Sequence, residues 1–194
     1  MKIQNQIILS IGTNQGEKLH NIEQAIDLIH SQIATVVKVS KLYESPSWGF
    51  ESDAFYNCAV LVHTCKSAEE VLEEILQAEK KLGRIRNGDI GYQARIIDID
   101  IISFNEDVLD TENLQIPHPQ MQNRKFVLLP MHDLKTDFVH PILHKNTLEL
   151  LKDCEDDSDC KVISSLKSPT EKFSFEQFNY IAVEGNIGAG KTTL

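Results

Sequence analysis

The residues with the densest chemistry lie between Gly83 and Ile102, where the chain reads GRIRNGDIGYQARIIDIDII. Arg84, Arg86 and Arg95 bring three guanidiniums into this stretch, and Asp98 and Asp100 bring a carboxylate pair. Arg95 to Phe104 is β-branched and apolar enough for a strand, on which Asp98 and Asp100 project to one side, roughly 6.5–7 Å apart at the backbone. Ile97, Ile99 and Ile101 then face the other way and anchor the strand in a core. Carboxylates at that separation can converge on hard cations, and arginines beside them can neutralise phosphate oxygens, which is the pattern of a polyphosphate and metal site. The plainer reading is a solvated sheet face carrying ordinary surface salt bridges. Ile96 and Ile102 bracket the carboxylates, however, and unpaired charge among isoleucines is costly, so a bound metal or arginine pairing within a cleft is called for.

The surrounding chain has 194 residues, a formal net charge of −10 and 41% hydrophobic residues, enough for one domain with a true core plus a smaller appendage. The acidic surplus argues against a nucleic-acid partner and makes the arginine cluster a local site, suited to a small metal-bound nucleotide. Cys58, Cys65, Cys154 and Cys160 form no CxxC pair and have no zinc-spaced histidines, so reduced thiols are expected. The N-terminal MKIQNQ is polar, and the IILSI run after it is too short for a signal peptide. No stretch approaches the roughly 20 apolar residues needed to span a membrane, so a soluble, cytoplasmic protein with no membrane partner is expected.

The elements that must position these groups follow from periodicity. Gln6 to Ile11 reads as a buried strand ending at Gly12-Thr13-Asn14, followed by a helix carrying Leu19, Ile22, Ile26, Ile29 and Ile33 at alternating steps of three and four. Thr35 to Tyr43 and Ala54 to Thr64 read as strands separated by a long loop with Pro46 and Gly49. Ser67 opens a second helix with Glu70 completing a capping box, and that helix turns Val71, Leu72, Ile75, Leu76 and Leu82 inward and stops at Gly83. The order β-α-β-β-α-β predicts an α+β fold, a ferredoxin-like sandwich with helices on one face of an antiparallel sheet and ligands on the other. A further short helix is expected over Asn146 to Leu151. Residues 1–152 are read as this domain, and 153–178, with an acidic run and Pro169, as a linker.

Beyond the linker, Tyr180 to Val183 reads as a short strand running into GNIGAGKT, which satisfies the GxxxxGK[ST] pattern of a phosphate-cradling loop. Residues 179–194 are therefore read as the truncated start of a P-loop domain. The wording EGNIGAGKTT resembles the opening of the deoxynucleoside kinase family, which implies a fusion to such a kinase.

Residues 1 to about 160 resemble the 6-hydroxymethyl-7,8-dihydropterin pyrophosphokinases of folate biosynthesis. The resemblance rests on Ile11-Gly12-Thr13-Asn14, Tyr43-Glu44-Ser45-Pro46, Phe55-Tyr56-Asn57, Gly83-Arg84-Ile85-Arg86, Arg95-Ile-Ile-Asp98-Ile-Asp100, and Pro117-His118 with Asn123-Arg124-Lys125-Phe126, in that order. It implies pyrophosphoryl transfer from ATP to the pterin hydroxymethyl group, giving AMP, with two Mg²⁺ ions on Asp98 and Asp100. It also implies catalytic roles for Arg84 and Arg95, and nucleotide contacts from Glu79, Arg86, Tyr92, Ile101, His118 and Arg124. Asn57 would hydrogen-bond the pterin, Phe55 and Phe126 would sandwich its ring, and Ser45, Pro46 and Trp48 would contact its edge. Taken alone, Phe55 and Phe126 read more often as core residues, His118 as a turn residue between prolines, and Glu79 as a helix-end ion-pair partner. Where many family members have Trp-Gly-Pro-Arg, this chain has Tyr92-Gln93-Ala94-Arg95, which changes the turn chemistry before the catalytic arginine. A different reading of the same residues is a non-catalytic or regulatory nucleotide- and metal-binding module of a nucleoside kinase.

Overall fold

An interior strand of the sheet, β1 (Asn5–Thr13), has Ile7, Ile8, Leu9 and Ile11 all buried. The structure, a computed structural model, describes residues 4–47, 52–84 and 94–172. After β1 come helix α1 (Lys18–Leu28), a π turn (Ile29–Ile33), then β2 (Thr35–Val39), β3 (Lys41–Ser45) and β4 (Phe55–Thr64). Helix α2 (Ala68–Lys81) opens on the expected Ser67–Glu70 capping box. It ends at Gly83, whose φ of +92° suits glycine and turns the chain toward Arg84. Strand β5 (Asp98–Phe104) then pairs antiparallel with β1 on the side opposite β4.

The predicted β-α-β-β-α-β order is therefore present, with two refinements. The last strand begins at Asp98 rather than Arg95. The strand expected over 35–43 is broken at Ser40, whose N–H donates to the Ala59 carbonyl (2.9 Å) while its Oγ accepts the Ala59 N–H (2.9 Å). A hydroxyl thus stands in for a ladder carbonyl, and the chain passes from β2 to β3 with both paired to β4.

The expectation of helices on one face does not hold. One core joins Ile7, Leu9, Ile11, Val60, Val62, Ile99 and Ile101 to Ile22 and Ile26 of α1 and Val71 and Ile75 of α2. After β5, the short strands β6 (Leu109–Asp110) and β7 (Gln115–Ile116) pair, and helices α3 (Lys125–Asp133) and α4 (Thr147–Asp153) follow. A second core joins Ile8, Ala59, Leu61 and Ile102 on the opposite face to Met121, Val127, Leu128, Met131, Leu134 and Leu150. The reason is visible in β1: consecutive Ile7-Ile8-Leu9 is apolar on both sides, so each face needs a cover.

Nor is the acidic stretch a bare linker over its described part. Strand β8 (Lys161–Ser165) pairs antiparallel with β3, helix α5 (Pro169–Lys172) follows, and Asp156 accepts the Lys125 N–H at 2.8 Å. Charge near the turn is used for capping α3 rather than for solvation. Residues 173–194, with the proposed P-loop strand, lie outside the described residues. No described helix is long and apolar enough to cross a membrane.

Candidate active site

On the second face of the sheet, side chains form two rows across β5, β1 and β4. Cross-strand register places Asp98, Gly12 and Asn57 in one row and Asp100, Ser10 and Ala59 in the next. Helix α3 covers the far end of this face but leaves these rows as the floor of a cavity of about 260 Å³. The floor is narrow at Gly12, where a Cβ would sit 3.1 Å from Asn57 Oδ1.

Asp98 is held on both oxygens. Arg84 Nη1 donates to Oδ1 at 2.5 Å, and Arg95 Nη1 donates to Oδ2. Arg84 also pairs with Glu79, which is 1% exposed and whose Oε1 accepts the Ile99 N–H at 2.9 Å. Burial pulls the Arg84 guanidinium toward its neutral form, but Asp98 and Glu79 outweigh it and raise its pKa. Asp100 differs from its neighbour: its carboxylate makes no hydrogen bond or ion pair with a described residue. Burial, reinforced by Asp98 and opposed by Arg95 and Arg124, pushes the Asp100 carboxyl up to about 7. A carboxylate in a cleft with arginines nearby but bonded to none of them is a ready ligand for a cation brought in with the substrate.

Among the described residues no group of three or more His, Cys, Asp or Glu is arranged to hold a metal. The donor set nevertheless fits Mg²⁺, which is commonly bound by one or two carboxylates and completes its shell with water and substrate phosphates. Asp100 offers such a ligand directly, and Asp98 offers one on exchange of an arginine.

The walls carry the rest. Asn57 Nδ2 donates to Ser45 Oγ (2.9 Å), fixing its amide so that the other end faces the cavity floor. Phe55 and Phe126 line the cavity with Pro46 at its rim. The Arg124 guanidinium lies 5.9 Å from the Phe126 ring centre. His118 donates its backbone N–H to the Ile102 carbonyl (2.9 Å), and its Nδ1 accepts the Gln120 N–H (3.1 Å). Burial, with Arg124 adding to it, lowers the His118 pKa to about 4, so this imidazole is neutral near pH 7. A second, shallower groove of about 400 Å³ runs along Leu72, Ile101, Thr111, Leu114 and Pro119 and shares Asp100 and His118 with the cavity. Two ligands could thus meet at the carboxylates.

The structure brings Ser45, Pro46, Phe55, Asn57, Arg95, Asp98, Asp100, His118, Arg124 and Phe126 to one cavity. Arg84 reaches it through Asp98, Glu79 lies beneath Arg84, and Ile101 borders the adjoining groove. Trp48, Arg86 and Tyr92 lie outside the described residues. Sequence reasoning missed Ser10, Gly12, Ile102 and Val127 as lining residues. The signal for the first two was present: Ser10 and Gly12 are small residues at alternate positions of an otherwise apolar strand.

The sequence model of the family 7,8-dihydro-6-hydroxymethylpterin-pyrophosphokinase (HPPK) matches residues 8–136. A 2-amino-4-hydroxy-6-hydroxymethyldihydropteridine pyrophosphokinase of Bacillus subtilis is 39% identical over 132 residues, covering 67% of this chain and 78% of the relative. The folic acid synthesis protein FOL1 of Dictyostelium discoideum is 41% identical over 147 residues, 74% of this chain but 22% of the relative, and fol1 of Pneumocystis carinii is 38% identical over 70% of this chain and 18% of its own length. The chain thus spans about a fifth of those two longer relatives. Among solved structures, Plasmodium falciparum HPPK-DHPS with pteroate superposes with a TM-score of 0.65 at 16% identity, over 79% of this chain and 45% of that one, a likeness of fold.

Proposed function

This chain belongs to the 7,8-dihydro-6-hydroxymethylpterin-pyrophosphokinase family, and from that premise we propose that it transfers the pyrophosphoryl group of ATP to the hydroxymethyl group of 6-hydroxymethyl-7,8-dihydropterin. The hydroxymethyl oxygen forms a bond to the β-phosphorus, the bond from that phosphorus to the oxygen bridging the α-phosphate breaks, and AMP leaves. The observation that carries the reading is the junction of an aromatic-walled cavity and an adjoining groove at Asp100 and His118. A flat heterocycle in the first and a nucleotide in the second would bring hydroxymethyl and phosphates together over the carboxylates.

In this account Phe55 and Phe126 stack on the two faces of the pterin, and Asn57, held by Ser45, hydrogen-bonds its edge together with the segment of Pro46 and Trp48. Ile101 and Glu79 belong to the nucleotide side, Glu79 by holding Arg84 in place. Arg84 and Arg95 move from Asp98 to phosphate oxygens as charge builds on them, and His118, Arg124, Arg86 and Tyr92 hold the nucleotide. Neutral His118, whose Nδ1 already accepts the Gln120 N–H, donates a hydrogen bond from Nε2 without adding charge. Two Mg²⁺ ions on Asp98 and Asp100 would supply charge neutralisation of the triphosphate and of the departing AMP. The GNIGAGKT sequence at residues 185–192 supports, as a sequence pattern alone, a further phosphate-binding segment of deoxynucleoside kinase type.

AMP release from ATP and Mg²⁺ in the presence of the pterin, run beside a deoxynucleoside panel scored for ADP, tests this. Pterin-dependent AMP is expected. No AMP, with both ligands still bound, would favour a regulatory binding module.

A further inference from the structure

One residue that the mechanism above does not use is bonded to both sides of the site. Asn14, the residue after β1, is 3% exposed. Its Oδ1 accepts the Arg95 N–H at 2.7 Å, and its own N–H donates to the Arg95 carbonyl at 3.0 Å, closing a two-bond ring on that residue. The other end of the same amide, Nδ2, donates to Ser52 Oγ at 2.6 Å and to the Asp53 carbonyl at 3.3 Å. Ser52 and Asp53 lead directly into Phe55. The next residue after Arg95 is fixed as well, since the Ile96 carbonyl accepts from Thr13 Oγ1 (2.6 Å) and Asn21 Nδ2 (3.2 Å).

Arg95 and Phe55 are far apart in sequence, lead into β5 and open β4 on the two flanks of β1, and both line the cavity. A buried amide is the group suited to joining their backbones: it carries an acceptor at one end and a donor at the other, at fixed separation. Aspartate would lose the donor, and alanine would lose both while stranding a buried N–H.

We propose that Asn14 is a positioning residue that sets the backbone of Arg95 and the entry to Phe55 relative to one another, so that the arginine and the stacked heterocycle keep their register across the cavity. The inference rests on the reaction proposed above for its kinetic consequence, though not for the bonds themselves.

The test uses the full chain and the variants Asn14→Ala, Asn14→Asp and Ser52→Ala. In amide hydrogen exchange, Asn14→Ala is expected to speed exchange both at residues 52–55 and at 95–96, whereas Ser52→Ala speeds it at the first segment alone. Kinetically, Asn14→Ala is expected to lower kcat about 100-fold, the scale of a small misplacement of a catalytic group. Ser52→Ala is expected to raise the KM for the pterin while leaving kcat within about threefold, and adding it to Asn14→Ala should change KM little further. Should Asn14→Ala fail to fold, Asn14→Asp keeps the bond to Arg95 but sets a carboxylate oxygen against the Asp53 carbonyl, which can only accept, so exchange should rise only at 52–55. The proposal is overturned if a folded Asn14→Ala loosens one segment or neither, if its kcat stays within threefold, or if Asn14→Asp loosens 95–96 as much as 52–55. If the unaltered protein makes no AMP, the reaction assignment fails, and the exchange result alone decides for or against the clasp.

Discussion

Along β1, Ile8 and Ser10 point to the same face of the sheet, yet their surroundings are opposites. Ile8 packs with Leu61, Leu128 and Met131 beneath α3, whereas Ser10 and Gly12 form an open floor with Asn57, Asp98 and Asp100. One half of the face is closed by a helix and the other is left for ligands. The half that is closed holds the fold together; in the open half Asp100, a half-buried carboxylate whose pKa desolvation raises, is kept at the expense of stability. The contrast explains why the second helical layer is needed at all: it supplies Phe126, Val127 and Arg124 to the cavity wall from the same helix that buries Leu128 and Met131.

This contrast can be broken from either side. The largest effect is expected in the open half, where Asp98→Ala should lower AMP formation per folded molecule by about 1,000-fold or more; because it also leaves Arg84 and Arg95 without their shared carboxylate, the unfolding midpoint should fall while circular dichroism still reports the native fold. The converse belongs to the closed half. Ile8→Ala should cost about 2–4 kcal/mol of stability in chemical denaturation, with the rate per folded molecule preserved. Gly12→Ala lies on the boundary: its new methyl group, 3.1 Å from Asn57 Oδ1, should raise the pterin KM about tenfold by displacing that amide, with a smaller change in kcat.

The smallest effect is a pH dependence. His118 has its folded pKa lowered to about 4, so its contribution is present above about pH 6.5 and lost as pH falls through 4. His118→Asn should therefore flatten the acid limb of the stability profile between pH 6.5 and 4 by about 1 kcal/mol, read as midpoints across a pH series.

Much of this arrangement was legible in the sequence because period and motif agree there. The capping box at Ser67–Glu70 and the alternation that sends Ile99 and Ile101 to one core and Asp98 and Asp100 to the cavity are local patterns, and both are found. The short helix expected over Asn146 to Leu151 is present as α4, but that it and α3 form a second layer was not legible, because α3 carries Pro130 and a short apolar run, and its partner face on the sheet shows only as Ile8 and Leu61 between other apolar residues. The acidic run hid β8, whose pairing to β3 depends on the partner strand and not on its own composition. Gly12 and Asn14 stand out in the sequence only as part of a motif, and Ser10 not at all, for a related reason: small or neutral side chains gain meaning only from the strands and loops that register places beside them.

Whether Asp100 is held for a ligand and not for the fold is decided by measuring unfolding and AMP formation side by side for Asp100→Asn. With a folded pKa raised to about 7, the Asp100 contribution is fully favourable only below about pH 4 and is lost as pH rises through 7, so at pH 8 the ionised group weighs against the folded state. The account expects Asp100→Asn without Mg²⁺ to be more stable than the unaltered protein at pH 8, by about 1–3 kcal/mol, and to have lost AMP formation. A variant that is less stable at pH 8 and retains its rate per folded molecule would contradict it.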